Sequence, residues 1–522
     1  MLYRKSAFTI LLVVMLSAAA TVLAADTRPE PTAVTDKPDI VIILSDQFNP
    51  RCTGYAGDAD ALTPHLDTMA QKGVVFEQCY TPAPICMPAR CALISGLYPH
   101  NHHLWTNNSD FYMPPEWAPM FRDLQAAGYT TAQIGKLHWF GGHRWEDRYE
   151  KLDEFFADLG LDHCEDISTP FTTPTGHSSY QTYLRTLNLL NPYCRDMAVR
   201  MADGEYIPRA SVVAPQQHND SYIARRGIDF IKKQPNDKPF CLVISLPGPH
   251  PPMDAPGEYA TMFDPQKLHL PPNIPARFSY RRKSYDESKL RAMRANYYGK
   301  IALIDTCVGQ IMEAIRKRGT EDRTLIAFTA DHGEMMGAHG KLSKGRFYEE
   351  SGRVPLVMAW PGRIPAGTRR GALVQMFDLY PALVEAAGGT MTDGRFARSL
   401  LPVARGQKDK IRDAVFSEVG HRAYHNYMVR TGRWKWFIDY EKEYLFDLEQ
   451  DPWEMHNLIS DEACADTLMD IRAIHLAHLR TTQFNVSHDY VPMLKRLGGW
   501  EEDTTGLSDR LYEKFKKAQG LD

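Results

Sequence analysis

Short apolar runs that stop abruptly at polar residues recur along the chain. In "PDIVIILSDQ" the run from Ile40 to Leu44 is unbroken and ends in Ser45, Asp46 and Gln47. Such a run, without alternation, predicts a strand buried on both faces, as in a parallel sheet. "TPHLDTMAQKG" follows with apolar positions at helical spacing and Gly73 as its stop. "GYTTAQIGKLHW" predicts a second strand over Thr130 to Ile134, which leads through Gly135 to Lys136 and His138. "KPFCLVISLPGPHPP" predicts a third, with His250 in the proline-rich loop beyond it. "RTLIAFTADHGE" predicts a fourth, followed at once by Asp331 and His332. Between the last two, residues 289–317 repeat apolar positions at helical spacing.

Strands that alternate with helices predict an α/β architecture with a mostly parallel sheet. Ligands in such sheets bind beyond the carboxyl ends of the strands. Here the strand ends deliver Asp46, Lys136 with His138, His250, and Asp331 with His332. Past Gly406 the pattern changes. "AVFSE", "YMVRTGRWKWFID" and "EYLFDLEQDP" predict successive strands joined by short polar turns, a smaller antiparallel sheet carrying a helix or two. The expected organisation is an α/β catalytic domain over 38–405 and a C-terminal α+β subdomain over 406–522.

The first residues change this picture at one end only. Arg4 and Lys5 precede an apolar run from about Ala7 to Ala20, and Val22 and Ala24 suit a cleavage site. This pattern predicts a signal peptide over 1–24, a linker over 25–37, and a secreted or periplasmic protein without a stable membrane anchor. The full chain of 522 residues is too long for one simple core, and 43% hydrophobic content is enough to bury a large one. A net charge of −4 with no basic tract gives no sign of nucleic acid binding. The nine cysteines are an odd number. An oxidising compartment permits disulfides, and the sequence does not give the pairs.

One cysteine stands apart. In "PICMPARCALISG", Pro88 suits the first turn of a helix over Ala89 to Ser95, with Gly96 as its stop. Cys86 then lies at or just before the helix N-terminus, where unpaired N–H groups favour an anion, and Arg90 adds a fixed positive charge one turn on. The same residues also read as a buried structural cysteine before an ordinary helix.

Cys86-Met87-Pro88-Ala89-Arg90 resembles the Cys-x-Pro-x-Arg signature of type I sulfatases, except that Ala89 stands where Ser is usual. "DIVIILSDQ", "GYTTAQIGKLHW", "TADHGEMMGAHG" with "KGRFYEESGRVPLV", and "YLFDLEQDPWEMHNL" resemble further segments of that family, in order. The resemblance implies the fold of the alkaline phosphatase superfamily, a large α/β domain with a smaller C-terminal sheet. It implies that a formylglycine-generating maturation enzyme converts Cys86 to formylglycine, and that a divalent metal, usually Ca2+, sits among Asp46, Gln47, Asp331, His332 and the Cys86 position. Gln47 replaces the second Asp of many members, and either coordinates or only lines the site. Arg90 is then expected at the sulfate oxygens and Lys136 at the aldehyde hydrate or the sulfate. His250, with Lys344, is the expected acid, His138 the base and Asn107 a substrate contact. Lys341, Arg346, His102 and His103 are weaker candidates, and Arg281, Arg282 and Lys283 a candidate outer subsite. The implied activity is hydrolysis of a sulfated carbohydrate or related ester. The Asp-Gln and Asp-His forms are also similar to choline-sulfatase-like and phosphonate monoesterase relatives. A phosphonate monoester hydrolase or phosphodiesterase is therefore the alternative enzyme, and a non-catalytic glycan-binding relative the alternative outside catalysis.

Overall fold

The run from Ile40 to Leu44 becomes the centre of a strand whose eight residues are all buried. The computed structural model describes residues 37–108, 111–141, 151–167, 170–171, 178–421 and 424–483. The expected signal peptide, nearly all of the expected linker and residues 484–522 lie outside the described residues. In chain order the strands begin with β1 (Asp39–Asp46), β2 (Val74–Tyr80), β3 (Thr130–Gly135), β4 (His163–Asp166) and β5 (Phe240–Pro249). A small hairpin of β6 (Arg277–Tyr280) and β7 (Lys283–Asp286) precedes β8 (Thr324–Ala330), β9 (Leu356–Ala359) and β10 (Thr368–Gln375). The last four are β11 (Val415–His421), β12 (Tyr424–Arg430), β13 (Trp434–Asp439) and β14 (Lys442–Asp447).

Eight strands form the main sheet in the order β10-β2-β9-β8-β1-β5-β3-β4. β1 pairs in parallel with β5 on one side and β8 on the other, and β3 continues the parallel set beside β5. Only β9 runs antiparallel, against both β2 and β8. Four residues, "LVMA", carry no signal of direction, so the sheet is mostly rather than wholly parallel. Because β1, β3, β5 and β8 point the same way, the residues that end them converge at one edge.

Helices cover the sheet. The helix Glu287–Arg318 starts at Asp286, whose side chain accepts from the Lys289 N–H, and ends at Gly319 in the left-handed region with φ 74°. Arg316, Lys317 and Arg318 complement the negative end of its dipole. Its buried side packs on the helix Asn219–Lys233 and on β5. Two glycines are required by close approach. A Cβ on Gly73 would lie 2.1 Å from the Met358 carbonyl oxygen, and one on Gly135 would lie 2.0 Å from that of Ser245. Gly73 thus ends its helix by steric fit against β9, at φ −142°, and not by a left-handed turn.

β11 to β14 form a separate antiparallel sheet in sequential order, with the helix Ala465–Thr482 beside it. This sheet reaches back to the segment before Cys86. The Glu418 N–H donates to the Pro82 carbonyl (2.9 Å), and the buried Lys435 Nζ bridges Glu349 (3.0 Å) and Glu454 (2.8 Å). All nine cysteines are free thiols, and among the described residues no helix is long and apolar enough to cross a membrane.

Candidate active site

The helix beginning at Cys86 is longer at its start than its sequence suggests. It spans Cys86–Ser95, with Ile85 as an extended N-cap and Gly96 closing it at φ 67°. Pro88 therefore falls in the first turn, where no N–H is missed. The Met87 N–H donates to Asn107 Oδ1 at 3.0 Å, which satisfies one of the open donors of that turn. Asn107 itself is exposed.

Cys86 is 1% exposed and surrounded by polar groups from three strand ends and from Lys344. Its Sγ lies 2.9 Å from Lys344 Nζ, 3.2 Å from His332 Nε2 and 3.8 Å from Asp46 Oδ1. His138 is near enough to help hold the thiol low. Burial opposes ionisation of this thiol. Lys136, Lys344 and His332 outweigh it and hold Cys86 well below the ordinary thiol range.

Two buried carboxylates, Asp46 and Asp331, lie beneath. Arg90 joins them: its Nε donates to Asp331 Oδ2 at 2.8 Å and its Nη2 to Asp46 Oδ2 at 3.1 Å. Nη1 donates to the Lys136 carbonyl and to Ser245 Oγ, both at 2.8 Å. At 1% exposure and with these partners, Arg90 holds the carboxylates together from below rather than offering a free edge to a ligand. Lys136 Nζ donates to Asp46 Oδ2. Burial and Cys86 push Asp46 up, but Lys136, His250 and Lys344 hold it below the usual carboxylate range. Asp331 is raised, by burial and by Asp46, against the pull of His332 and Arg90.

Gln47 has a left-handed backbone, φ 64°, which turns its side chain into the site. Its Oε1 accepts from Lys344 Nζ at 2.8 Å, and its Nε2 donates to Glu334 and to Tyr206 Oη. Its backbone N–H donates to Asp331 Oδ1 at 3.1 Å. His332 Nδ1 meets the Gly333 carbonyl at 2.9 Å, which leaves Nε2 facing Cys86. Burial pushes His332 down, and Asp331 and Cys86 more than restore it, so its proton is held above the ordinary imidazole value. Ligand atoms of Asp46, Cys86, Asp331 and His332 all lie within 4.8 Å of one another.

His138, at φ 57°, and His250 stand at the half-buried rim with Lys344. Burial, then Lys136, depresses His138 to about 4. The His250 N–H donates to the Asp46 carbonyl at 3.2 Å, and its Nδ1 lies 2.6 Å from the Pro251 carbonyl. The weaker candidates fall elsewhere. Arg346 is committed to Asp439 (2.5 Å), and His102 is buried and depressed to about 3, chiefly by burial. Arg281 pairs with Glu205 at 2.8 Å in the exposed turn of the β6–β7 hairpin. That hairpin reaches the site only indirectly, through Tyr280 against Tyr206.

Two contributors were not anticipated. Glu334 is fully buried and accepts from Met336 N (3.0 Å), Ser343 N (2.6 Å) and Tyr206 Oη (2.8 Å) while gripping the Gln47 amide. Its place three residues after Asp331 in "DHGE" was the available signal. Ser245 is the single polar residue within the β5 apolar run, and it is the Arg90 acceptor.

A family model described as Sulfatase matches residues 38–389. The chain belongs to the sulfatase family, of type I. A second model, N-sulphoglucosamine sulphohydrolase, C-terminal, matches residues 337–481 of this sulfatase. An arylsulfatase of Clostridium perfringens is 27% identical over 85% of this chain and 94% of its own. A choline-sulfatase of Rhizobium meliloti is 29% identical, over 84% of this chain and 87% of its own. Among solved structures, a phosphonate monoester hydrolase of Agrobacterium radiobacter superposes with a TM-score of 0.73 at 25% identity, covering 87% of this chain and 97% of that one. The sulfatase is thus a sulfuric ester hydrolase with an alkaline phosphatase-like fold.

Proposed function

We propose that this sulfatase is exported and removes sulfate from a sulfated carbohydrate or related ester, with formylglycine made from Cys86 by a separate maturation enzyme. The observation that carries the reading is Cys86 at a helix start, within contact of Lys344, His332 and Asp46. A hydrated aldehyde at this position supplies one hydroxyl for attack on sulfur and a second whose deprotonation expels sulfate, so no water need attack sulfur.

The oxygens of Asp46, Asp331 and Gln47 suit a hard divalent cation such as Ca2+, and their burial at a converging edge fits such an ion. His332 completes the ring of donors beside Cys86. A bound cation supplies positive charge against the sulfate oxygens. Arg90 acts as a positioning residue that fixes both carboxylates. Lys136 and Lys344 hold the residue 86 side chain and the sulfate. His250 Nδ1–H donates to the Pro251 carbonyl, which leaves Nε2 facing the leaving alcohol, and as the imidazolium the ring gives that oxygen the Nε2 proton and becomes neutral. His138 is neutral near pH 7, because burial and Lys136 depress it, and its ring can take the proton of the second hydroxyl. Asn107, exposed above the helix start, contacts the substrate.

The solved phosphonate monoester hydrolase supports a second reading, phosphonate or phosphodiester hydrolysis by the same groups. Kinetics on a matched aryl sulfate and aryl phosphonate monoester separate the two. The sulfate ester should show the higher kcat/KM, and Cys86→Ala should lose turnover on both while keeping fold and calcium binding. A higher kcat/KM on the phosphonate would overturn the sulfatase assignment of substrate.

A further inference from the structure

The C-terminal helix brings a second donor cluster together, which shares no residue with the group around Cys86. His478, on the helix Ala465–Thr482, points its Nε2 at Glu418 Oε1 on β11, 4.0 Å away. His100, on the short helix Pro99–His102, places Nδ1 2.6 Å from the same oxygen. Ligand atoms of His100, Glu418 and His478 all lie within 4.8 Å of one another. Glu418 is 1% exposed and His478 8% exposed. Among the described residues no group hydrogen-bonds His478 Nε2, although it is buried.

We propose that His100, Glu418 and His478 form a transition-metal site, for zinc or a similar borderline divalent ion, that fastens the C-terminal helix to the catalytic domain. Two imidazoles and one carboxylate are a zinc donor set, whereas calcium takes oxygens. Donors on a tetrahedral zinc sit roughly 3.4 Å apart, given bonds of about 2.1 Å. The Glu418–His478 gap of 4.0 Å needs to close by about 0.6 Å and the His100–Glu418 pair at 2.6 Å to open by about 0.8 Å. The surroundings hold the donors ready for this. The other Glu418 oxygen is fixed by the His100 N–H at 3.0 Å. The His478 ring is stacked on Phe416 with centroids 3.6 Å apart. The Asn101 amide ties the end of the helix through the Thr482 carbonyl at 2.7 Å. Three elements remote in sequence thereby present fixed donors, with their outer contacts already made. His478 also lines a cavity of about 440 Å³ with Arg395 and Arg412, which opens one side of its ring to solvent.

The test uses the full chain with calcium in excess, so that oxygen-rich sites are filled. Zinc is titrated against a chromophoric chelator for the wild type, His478→Ala and Glu418→Gln. The variants should bind one zinc fewer per chain, and zinc should slow hydrogen exchange of residues 465–482 in the wild type only. Equal zinc stoichiometry in all three proteins would overturn the proposal. Should a variant not fold, anomalous scattering from wild-type crystals grown with zinc decides the matter. A peak between His100, Glu418 and His478 is expected, and its absence would refute the site.

Discussion

Arg90→Met tests how the carboxylate pair is held. The substitution keeps an unbranched chain as far as the Nε position and removes four hydrogen bonds: to Asp331 (2.8 Å), Asp46 (3.1 Å), the Lys136 carbonyl (2.8 Å) and Ser245 Oγ (2.8 Å). Both carboxylates are fully buried, so they lose a charge partner where water cannot replace it. Removing one member of a buried ion pair costs about 3–5 kcal/mol. Lys136 still pairs with Asp46, and places Asp331 as the group most affected. Asp331 is already raised by burial and by Asp46, and without Arg90 it rises further. Its folded value then lies further above its unfolded value, so the destabilisation is greatest at neutral pH and shrinks as acid neutralises the group. Urea unfolding followed by circular dichroism should show the lower midpoint at unchanged slope, partly recovered by saturating calcium. A loss below about 1 kcal/mol, the size of a surface pair, with turnover abolished, would refute the reasoning and return Arg90 to direct contact with sulfate.

The remaining predictions concern neighbouring groups. In unconverted protein, Lys344→Ala should move the pH midpoint of Cys86 alkylation upward, because Lys344 is one of the cations that keep the thiol low; an unchanged midpoint would contradict the contact. His138 is depressed below its unfolded value, so its contribution to stability is full above about 6.5 and lost as pH falls toward about 4. His138→Gln should therefore flatten the stability profile between those values, and an unaltered profile would count against burial as the cause. Gly135→Ala would put a Cβ against the Ser245 carbonyl at 2.0 Å, at φ 107°. It should destabilise by more than about 1 kcal/mol and lower kcat by displacing Lys136 and His138; near-wild-type stability would mean the strand end shifts freely.

The parts of the site that lie within one strand end were legible in the sequence. Asp46, Lys136 with His138, His250, and Asp331 with His332 each follow an apolar run directly, and a parallel sheet brings such ends to one edge. Less legible was what joins them. Arg90 reads as a positive charge near a helix start, which suggests a ligand contact. Its actual partners come from strands 44 to 241 residues away in sequence. The Glu334 grip on Gln47 spans 287 residues and depends on a left-handed backbone at Gln47 that a glutamine does not announce. Strands β2, β4, β9 and β10 were missed for a related reason. β9 has four residues and β4 only polar or half-buried ones, so neither shows a period. The C-terminal sheet was readable because short apolar runs are joined there by short polar turns.

The most direct test of the account is the mass of the peptide spanning Cys86, taken from protein made with a formylglycine-generating enzyme, beside its sulfatase activity. The account predicts a side chain in which oxygen has replaced the sulfur and two hydrogens are lost, with turnover rising in proportion to the converted fraction. Full turnover from protein whose Cys86 remains a thiol would contradict it.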